Sequence, residues 1–190
     1  MGCGKSTAAA LFEELGYRRL DSDALVRERV LTSEGVKKAV AERFGSGVIG
    51  PTGEINRSAL AEKVFFNDAE RLWLEELTHP LVFEIGRNAI RAEPGASWVV
   101  EVPLLFEKSL ENWFDFTVCV ACSQLQQLVR LEQRGLPRAL AEQRITKQLP
   151  LARKIELSDF VLWNEGSAHF LRAQVERLAQ QVQAVAPLSV

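Results

Sequence analysis

The chain has 190 residues, 47% of them hydrophobic, and a formal net charge of −2. That length suits one domain or a compact core with inserted subdomains, and the charge balance argues against nucleic-acid binding, which rests on a strongly basic face. No apolar run approaches the ~20 residues of a membrane span, and the N-terminus lacks the charged-then-apolar plan of a signal peptide, so a cytoplasmic protein is expected.

Residues Gly2-Cys3-Gly4-Lys5-Ser6-Thr7 form the closing half of a phosphate-binding loop, G-x-x-x-x-G-K-[ST]. The complete pattern starts with a glycine and a buried lead-in strand, which would lie before Met1. The first, central strand of the fold is therefore expected to be absent from this chain. Glycines let successive amide N–H groups point at phosphate oxygens, and the following helix adds its positive dipole end. In that chemistry Lys5 bridges the β- and γ-phosphates, the Ser6 hydroxyl ligates Mg²⁺, and Thr7 offers a hydroxyl to the α-phosphate. A glycine-rich N-terminus frayed in solvent is the bland alternative. The remnant alone leaves both open.

Beyond the loop, apolar spacing predicts a helix over 6–15, stopped by Gly16, and a short strand over 17–20 that ends at Asp21-Ser22-Asp23. Helices are predicted over 23–31, 34–44, 57–66 and 69–92, the last with a break or kink allowed at Pro80. Unalternating apolar runs at 98–102, 114–121 and 160–163 read as strands covered on both faces. A polar helical stretch, 124–157, is punctuated by Gly135, Pro137 and Pro150. An amphipathic helix over 168–185 closes the chain. Strands alternating with helices predict a parallel α/β sheet flanked by helices.

Several side chains carry candidate chemistry. Asp21 and Asp23 follow a strand, where ligands gather in open α/β sheets. A carboxylate there can take a proton from an attacking hydroxyl or help hold Mg²⁺; equally, it can cap the next helix. Between residues 130 and 156 lie seven basic residues (Arg130, Arg134, Arg138, Arg144, Lys147, Arg153, Lys154) against three acidic ones. A lid closing arginines over phosphates, or a solvated face laced with charge pairs, would each use that pattern. Glu101 could reach Mg²⁺ through water or, partly buried, pair with an arginine of the 130–156 stretch. The four tryptophans read as packing residues. Three cysteines give no closed disulfide framework, and Cys119 and Cys122 read as buried strand thiols. His79 and His169 are too distant in sequence to complete a zinc site with them.

The order of segments resembles the dephospho-CoA kinase family over essentially the whole chain. The stretches that carry the resemblance are the loop remnant, Leu20-Asp21-Ser22-Asp23, Gly53-Glu54-Ile55-Asn56-Arg57, His79-Pro80-Leu81-Val82, Val102-Pro103-Leu104-Leu105-Phe106-Glu107, Arg144 with Gln148, and Asp159 to Ser167. The resemblance implies a P-loop nucleotide-kinase fold with its core at 1–33, 93–123 and 158–190, a helical substrate subdomain at 34–92 and a lid at 124–157. It implies ATP and Mg²⁺ as cofactors and dephospho-CoA as the substrate phosphorylated at its ribose 3′-hydroxyl, the last step of CoA biosynthesis. Catalytic roles would fall to Asp23, Lys5 and Arg144; ATP binding to residues 2–7 and Asn164; substrate binding to Asp21, His79, Pro103 and Leu104. Ser6, with Asp23 as a second candidate, would hold Mg²⁺. A monomer is expected, with neither nucleic-acid nor membrane partners. The alternatives are another small-molecule or nucleoside monophosphate kinase, or a nucleotide-binding protein impaired by the missing start.

Overall fold

The computed structural model describes residues 1–65 and 67–185. Two compact units emerge, one from Met1–Arg19 with Ser97 onward, the other Leu20–Ala96.

In the first unit, α1 (Lys5–Glu14) is an alanine-rich helix whose buried face carries Ala8, Ala9, Leu11 and Phe12. It stops where Gly16 takes φ 93°. The Gly16 N–H donates to the Glu13 carbonyl at 3.0 Å and the Tyr17 N–H to the Phe12 carbonyl at 3.1 Å, so the last turn is closed as a Schellman motif. The strands are short. β1 (Arg18–Asp21) begins in this unit, where the Arg18 N–H donates to the Ser97 carbonyl just before β2 (Trp98–Glu101). β3 (Val118–Ala121) runs parallel to β4 (Phe160–Trp163), with Val118 opposite Phe160 and Ala121 opposite Trp163.

Helices α6 (Gln124–Gln133), α7 (Arg138–Thr146) and α8 (Leu151–Leu157) fill the predicted polar stretch and break at Gly135-Leu136-Pro137 and Pro150. The closing helix α9 (Ala168–Val185) spans its expected residues. Its Leu171, Val175, Leu178 and Ala179 pack with Ala8, Leu11, Phe12, Tyr17 and Leu162 into the principal core of this unit. Leu128, Leu131 and Ala141 form a smaller cluster that joins α6 to α7.

The second unit contains α2 (Ser22–Leu25), α3 (Glu34–Phe44), α4 (Arg57–Phe65) and α5 (Asp68–Ala92). Val30, Val36, Val40, Val48, Ile55, Leu60 and Val82 form its core.

Several expectations need correction. The helix predicted over 23–31 becomes α2 followed by a wide π-type turn at Val26–Val30, closed by the Leu31 N–H on the Val26 carbonyl. Helix α5 passes through Pro80 without interruption. The missing N–H and the ring's crowding of the preceding turn cost about 3 kcal/mol, which the rest of a 25-residue helix outweighs. The strand predicted from 114 starts only at Val118, because Glu111–Trp113 form a 3₁₀ turn and Thr117 is tied to Asp159. Nor are the tryptophans uniformly packed. Trp73 meets Phe44 edge-on, whereas Trp113 and Trp163 are about half exposed, at 52% and 48%. Alternation in β4 explains Trp163: its neighbour Leu162 faces the core. Phe66, expected to end α4, lies outside the described residues.

Candidate active site

The loop residues fold as the glycine pattern requires. Gly2 and Gly4 adopt φ values of 77° and 95°, a region that side-chain-bearing residues rarely occupy. A Cβ on Gly4 would also run into the Asn164 amide, and one on Gly2 would sit 2.9 Å from the Gln127 carbonyl. Gly4 serves as the N-cap of α1 without a side-chain cap, so the first-turn amides remain available to an anion.

Two side chains pin the loop from behind. The Asn164 Nδ2 donates to the Cys3 carbonyl at 2.8 Å, while the Asn164 N–H donates to the Ala121 carbonyl at 2.7 Å. Arg130, on α6, donates through Nη2 to the Asn164 carbonyl at 2.7 Å and through Nη1 to the Cys3 carbonyl at 3.5 Å. Thus Asn164, held between the ends of β3 and β4, and a basic residue of α6 converge on one loop carbonyl. A buried carbonyl that accepts from both an amide and a guanidinium is well satisfied, and the loop conformation is held accordingly.

In front of the loop, Glu101 at the end of β2 gathers the polar side chains. Its Oε2 accepts from Lys5 Nζ at 3.0 Å and from Ser6 Oγ at 2.7 Å. Its Oε1 accepts from Arg19 Nε at 2.8 Å and Nη2 at 2.6 Å. Only 2% of Glu101 is exposed. Burial by itself pushes the carboxyl pKa up, but the bonds from Ser6, Lys5 and Arg19 prevail and hold it below its ordinary value. Of the two sequence readings for Glu101, the arginine partner is present, but it is Arg19 from β1 and not a residue of the 130–156 stretch.

The loop after β2 contains a backbone outlier. Leu104 has φ 55°, and the turn it opens is closed by the Lys108 N–H on the Leu104 carbonyl at 3.1 Å. A bulky residue in that region stores on the order of 1–2 kcal/mol. Pro103 beside it is exposed. Further along, Glu107 Oε1 accepts from the Leu149 N–H and from Lys154 Nζ, both at 2.8 Å.

The basic stretch divides. Arg138 pairs with Glu142 and Arg153 with Glu156 along their own helices, as on a solvated face. Arg130 and Lys154 instead reach other elements. Arg144 lies partly buried on α7.

In the second unit, Asp21 Oδ1 accepts from the Ala24 N–H at 3.1 Å and so caps α2. Asp23 occupies the first turn of α2 and is exposed. His79 lies on α5, its ring edge-on to Phe83.

Cys3, Cys119 and Cys122 are free and buried. Burial, with Cys3 next in order, pushes the Cys122 thiol up to about 12, which leaves no thiolate for redox or nucleophilic work. Among the described residues no group of three or more His, Cys, Asp or Glu could by itself hold a metal ion. Mg²⁺ needs no such cage, because it takes one or two protein oxygens and completes its shell with water and substrate phosphates. The Ser6 hydroxyl beside the Glu101 carboxylate is a hard-oxygen pair of that type. No helix among the described residues is long and apolar enough to cross a membrane.

A glycine loop opening a helix, a lysine and hydroxyl directly after it, and an acidic residue ending a neighbouring strand match the closing half of a P-loop on an α/β fold. Comparison with known proteins narrows the class. The family model "Dephospho-CoA kinase" matches residues 1–169. The dephospho-CoA kinase of Thermosynechococcus vestitus is 38% identical over 179 residues, covering 93% of this chain and 88% of the relative. That of Synechococcus sp. (strain CC9902) is 40% identical over 178 residues, covering 92% and 89%. The crystal structure of TT1252 from Thermus thermophilus superposes with a TM-score of 0.82 at 34% identity, over 95% of this chain and 93% of that one. The dephospho-CoA kinase from Campylobacter jejuni, at 22% identity and a TM-score of 0.63 over 95% and 92%, shares the fold. This chain belongs to the dephospho-CoA kinase family and is a kinase.

Lys5 and Ser6 meet beside Glu101, and two supports of the loop carry no sequence signal of their own. Nothing marked Arg19 in a polar strand, since its role appears only when β1 lies beside β2. Arg130 was visible only as one basic residue among seven.

Proposed function

We propose that this chain transfers the γ-phosphoryl group of ATP to the ribose 3′-hydroxyl of dephospho-CoA, giving CoA and ADP. The observation that carries the reading is the loop itself, with Lys5 and Ser6 directed to one carboxylate at a strand end, in a chain of this family. The loop amides of Gly2 to Thr7 and Lys5 hold the phosphates, and Arg144 adds positive charge as it shifts toward the leaving oxygen. Asp23 receives the proton of the 3′-hydroxyl while its oxygen bonds to the γ-phosphorus. The bond from that phosphorus to the bridging oxygen breaks, and ADP leaves with the electron pair.

Ser6 would hold Mg²⁺, and the ion would neutralise charge on the phosphate oxygens. Asp21, His79, Pro103 and Leu104 form the acceptor side. The strained Leu104 turn supports its place there, since backbone strain collects at sites that clamp ligands. Asn164 supports the nucleotide side. Residues 34–92 act as the substrate-binding subdomain and 124–157 as the lid, in a cytoplasmic monomer.

The test is a substrate panel with ADP release as readout and the product located by phosphorus NMR. Phosphorylation of dephospho-CoA at the ribose 3′ position is expected. Turnover of a nucleoside monophosphate with none on dephospho-CoA would reassign the acceptor. Mg-ATP binding without turnover would leave only a nucleotide-binding protein.

A further inference from the structure

Lys5 and Ser6 are both engaged by Glu101 Oε2. A nucleotide that takes Lys5 onto its phosphates must take it from that carboxylate. Glu101 is almost completely buried, and a buried carboxylate stripped of its counter-charge is strongly unfavourable. Release of Lys5 would therefore oppose nucleotide binding if Lys5 were the only cation present.

It is not. Arg19 holds the other oxygen, Oε1, through two nitrogens, and its Nη1 lies 3.6 Å from Glu13 Oε2 on α1. These four donors divide evenly, two on each carboxylate oxygen, so departure of Lys5 and Ser6 from Oε2 leaves the Arg19 bonds on Oε1 in place. The Arg19 side chain is three-quarters buried and approaches from a strand, while the Lys5 side chain is 45% exposed and approaches from the loop. One cation is fixed and the other can leave.

We propose that Arg19 is a positioning residue for nucleotide binding: it serves as the permanent counter-ion of Glu101, so that Lys5 and Ser6 can transfer from that carboxylate to the phosphates and their metal ion. The inference rests on the reading of Lys5 and Ser6 as phosphate and Mg²⁺ groups. It adds an arginine from β1 that acts through Glu101.

A double-mutant cycle with Glu101→Gln, read by calorimetric binding of ATP with and without Mg²⁺, tests it. With Glu101 in place, Arg19→Met is expected to weaken ATP binding about 30-fold, since it leaves Lys5 as the sole counter-charge. In the Glu101→Gln background the same substitution is expected to cost under about threefold, because no buried charge remains to be abandoned. Steady-state kinetics should place the loss in KM for ATP, with kcat changed far less. Arg19→Lys keeps the charge and is expected to recover most of the affinity. If Arg19→Met does not fold, Arg19→Lys serves the same comparison, with a small loss beside Glu101 and none in the Glu101→Gln background. Equal losses in both backgrounds, or no loss in either, overturn the proposal while leaving the kinase reading intact. Failure of the unaltered chain to bind ATP would overturn that reading and this inference together.

Discussion

Asp23 carries the sharpest chemical prediction. Its carboxylate is exposed on the first turn of α2, while the neighbouring Asp21 performs the capping. Asp23→Asn removes the proton acceptor and keeps the shape. Turnover is expected to fall ~10²- to 10⁴-fold with ATP affinity within about threefold of the parent, as measured by ADP release and calorimetry. Near-normal turnover would remove Asp23 from the chemistry. Gly4 makes a different kind of prediction. Gly4→Ala meets both a left-handed backbone and the Asn164 amide, so the loop must shift or the Asn164–Cys3 bond must break. ATP binding is expected to weaken at least tenfold, with the fold retained because α1 keeps its buried face. Unchanged calorimetric affinity would show that this conformation is not what binds phosphate.

The elements were largely legible, and their limits show why the rest was not. The spacing of Leu171, Val175, Leu178 and Ala179 marks one face of α9, which is the face buried against α1. Leu171 is 1% exposed. Leu171→Ala is expected to destabilise the chain by about 2–5 kcal/mol in urea unfolding, through lost transfer energy and a cavity. A loss under about 1 kcal/mol would mean that this core collapses around the gap. Strand limits were less legible. The 114–121 run is apolar enough to pass for one strand, yet pairing with β4 begins at Val118. The Thr117 carbonyl still accepts the Phe160 N–H at 3.1 Å, but the side chain of Asp159 takes the Thr117 N–H at 2.7 Å, so the ladder reaches no further back than that carbonyl. A side chain 42 residues away makes that boundary, and no local pattern records it. The uninterrupted α5 is similar: Pro80 punctuates the sequence, but packing along the helix decides its continuity.

For the molecule as a whole, the carboxylates set the acid limit. Burial pushes Glu107 up, but bonds from Lys154 and the Leu149 N–H hold it below the ordinary carboxylate value. The Thr117 side chain and N–H hold Asp159 below its own. Groups depressed by folding stabilise the native state above their unfolded pKa, near 4, and that contribution disappears as pH falls through the lower folded values. Urea midpoints are expected to be level from about pH 8 to 5 and to fall below about pH 4. A midpoint at pH 3 equal to that at pH 7 would show that these pairs contribute nothing.

The sequence by itself determined the chemistry at hand: a loop ending in Gly4-Lys5-Ser6, the aspartates after the first strand, the alternation of helices with strands, and through their order the family. These depend on residue identity and short spacing, which local geometry reads directly. Only the tertiary structure decided what surrounds the phosphate loop. Arg19, Glu101, Arg130 and Asn164 are scattered over nearly 150 positions of chain; Glu101, Arg130 and Asn164 reach residues 3–6 from β2, α6 and the end of β4, and Arg19 joins them through Glu101. A buried charge takes its partners from whatever the fold brings within hydrogen-bond reach, and that proximity is a property of packing rather than of neighbours along the chain.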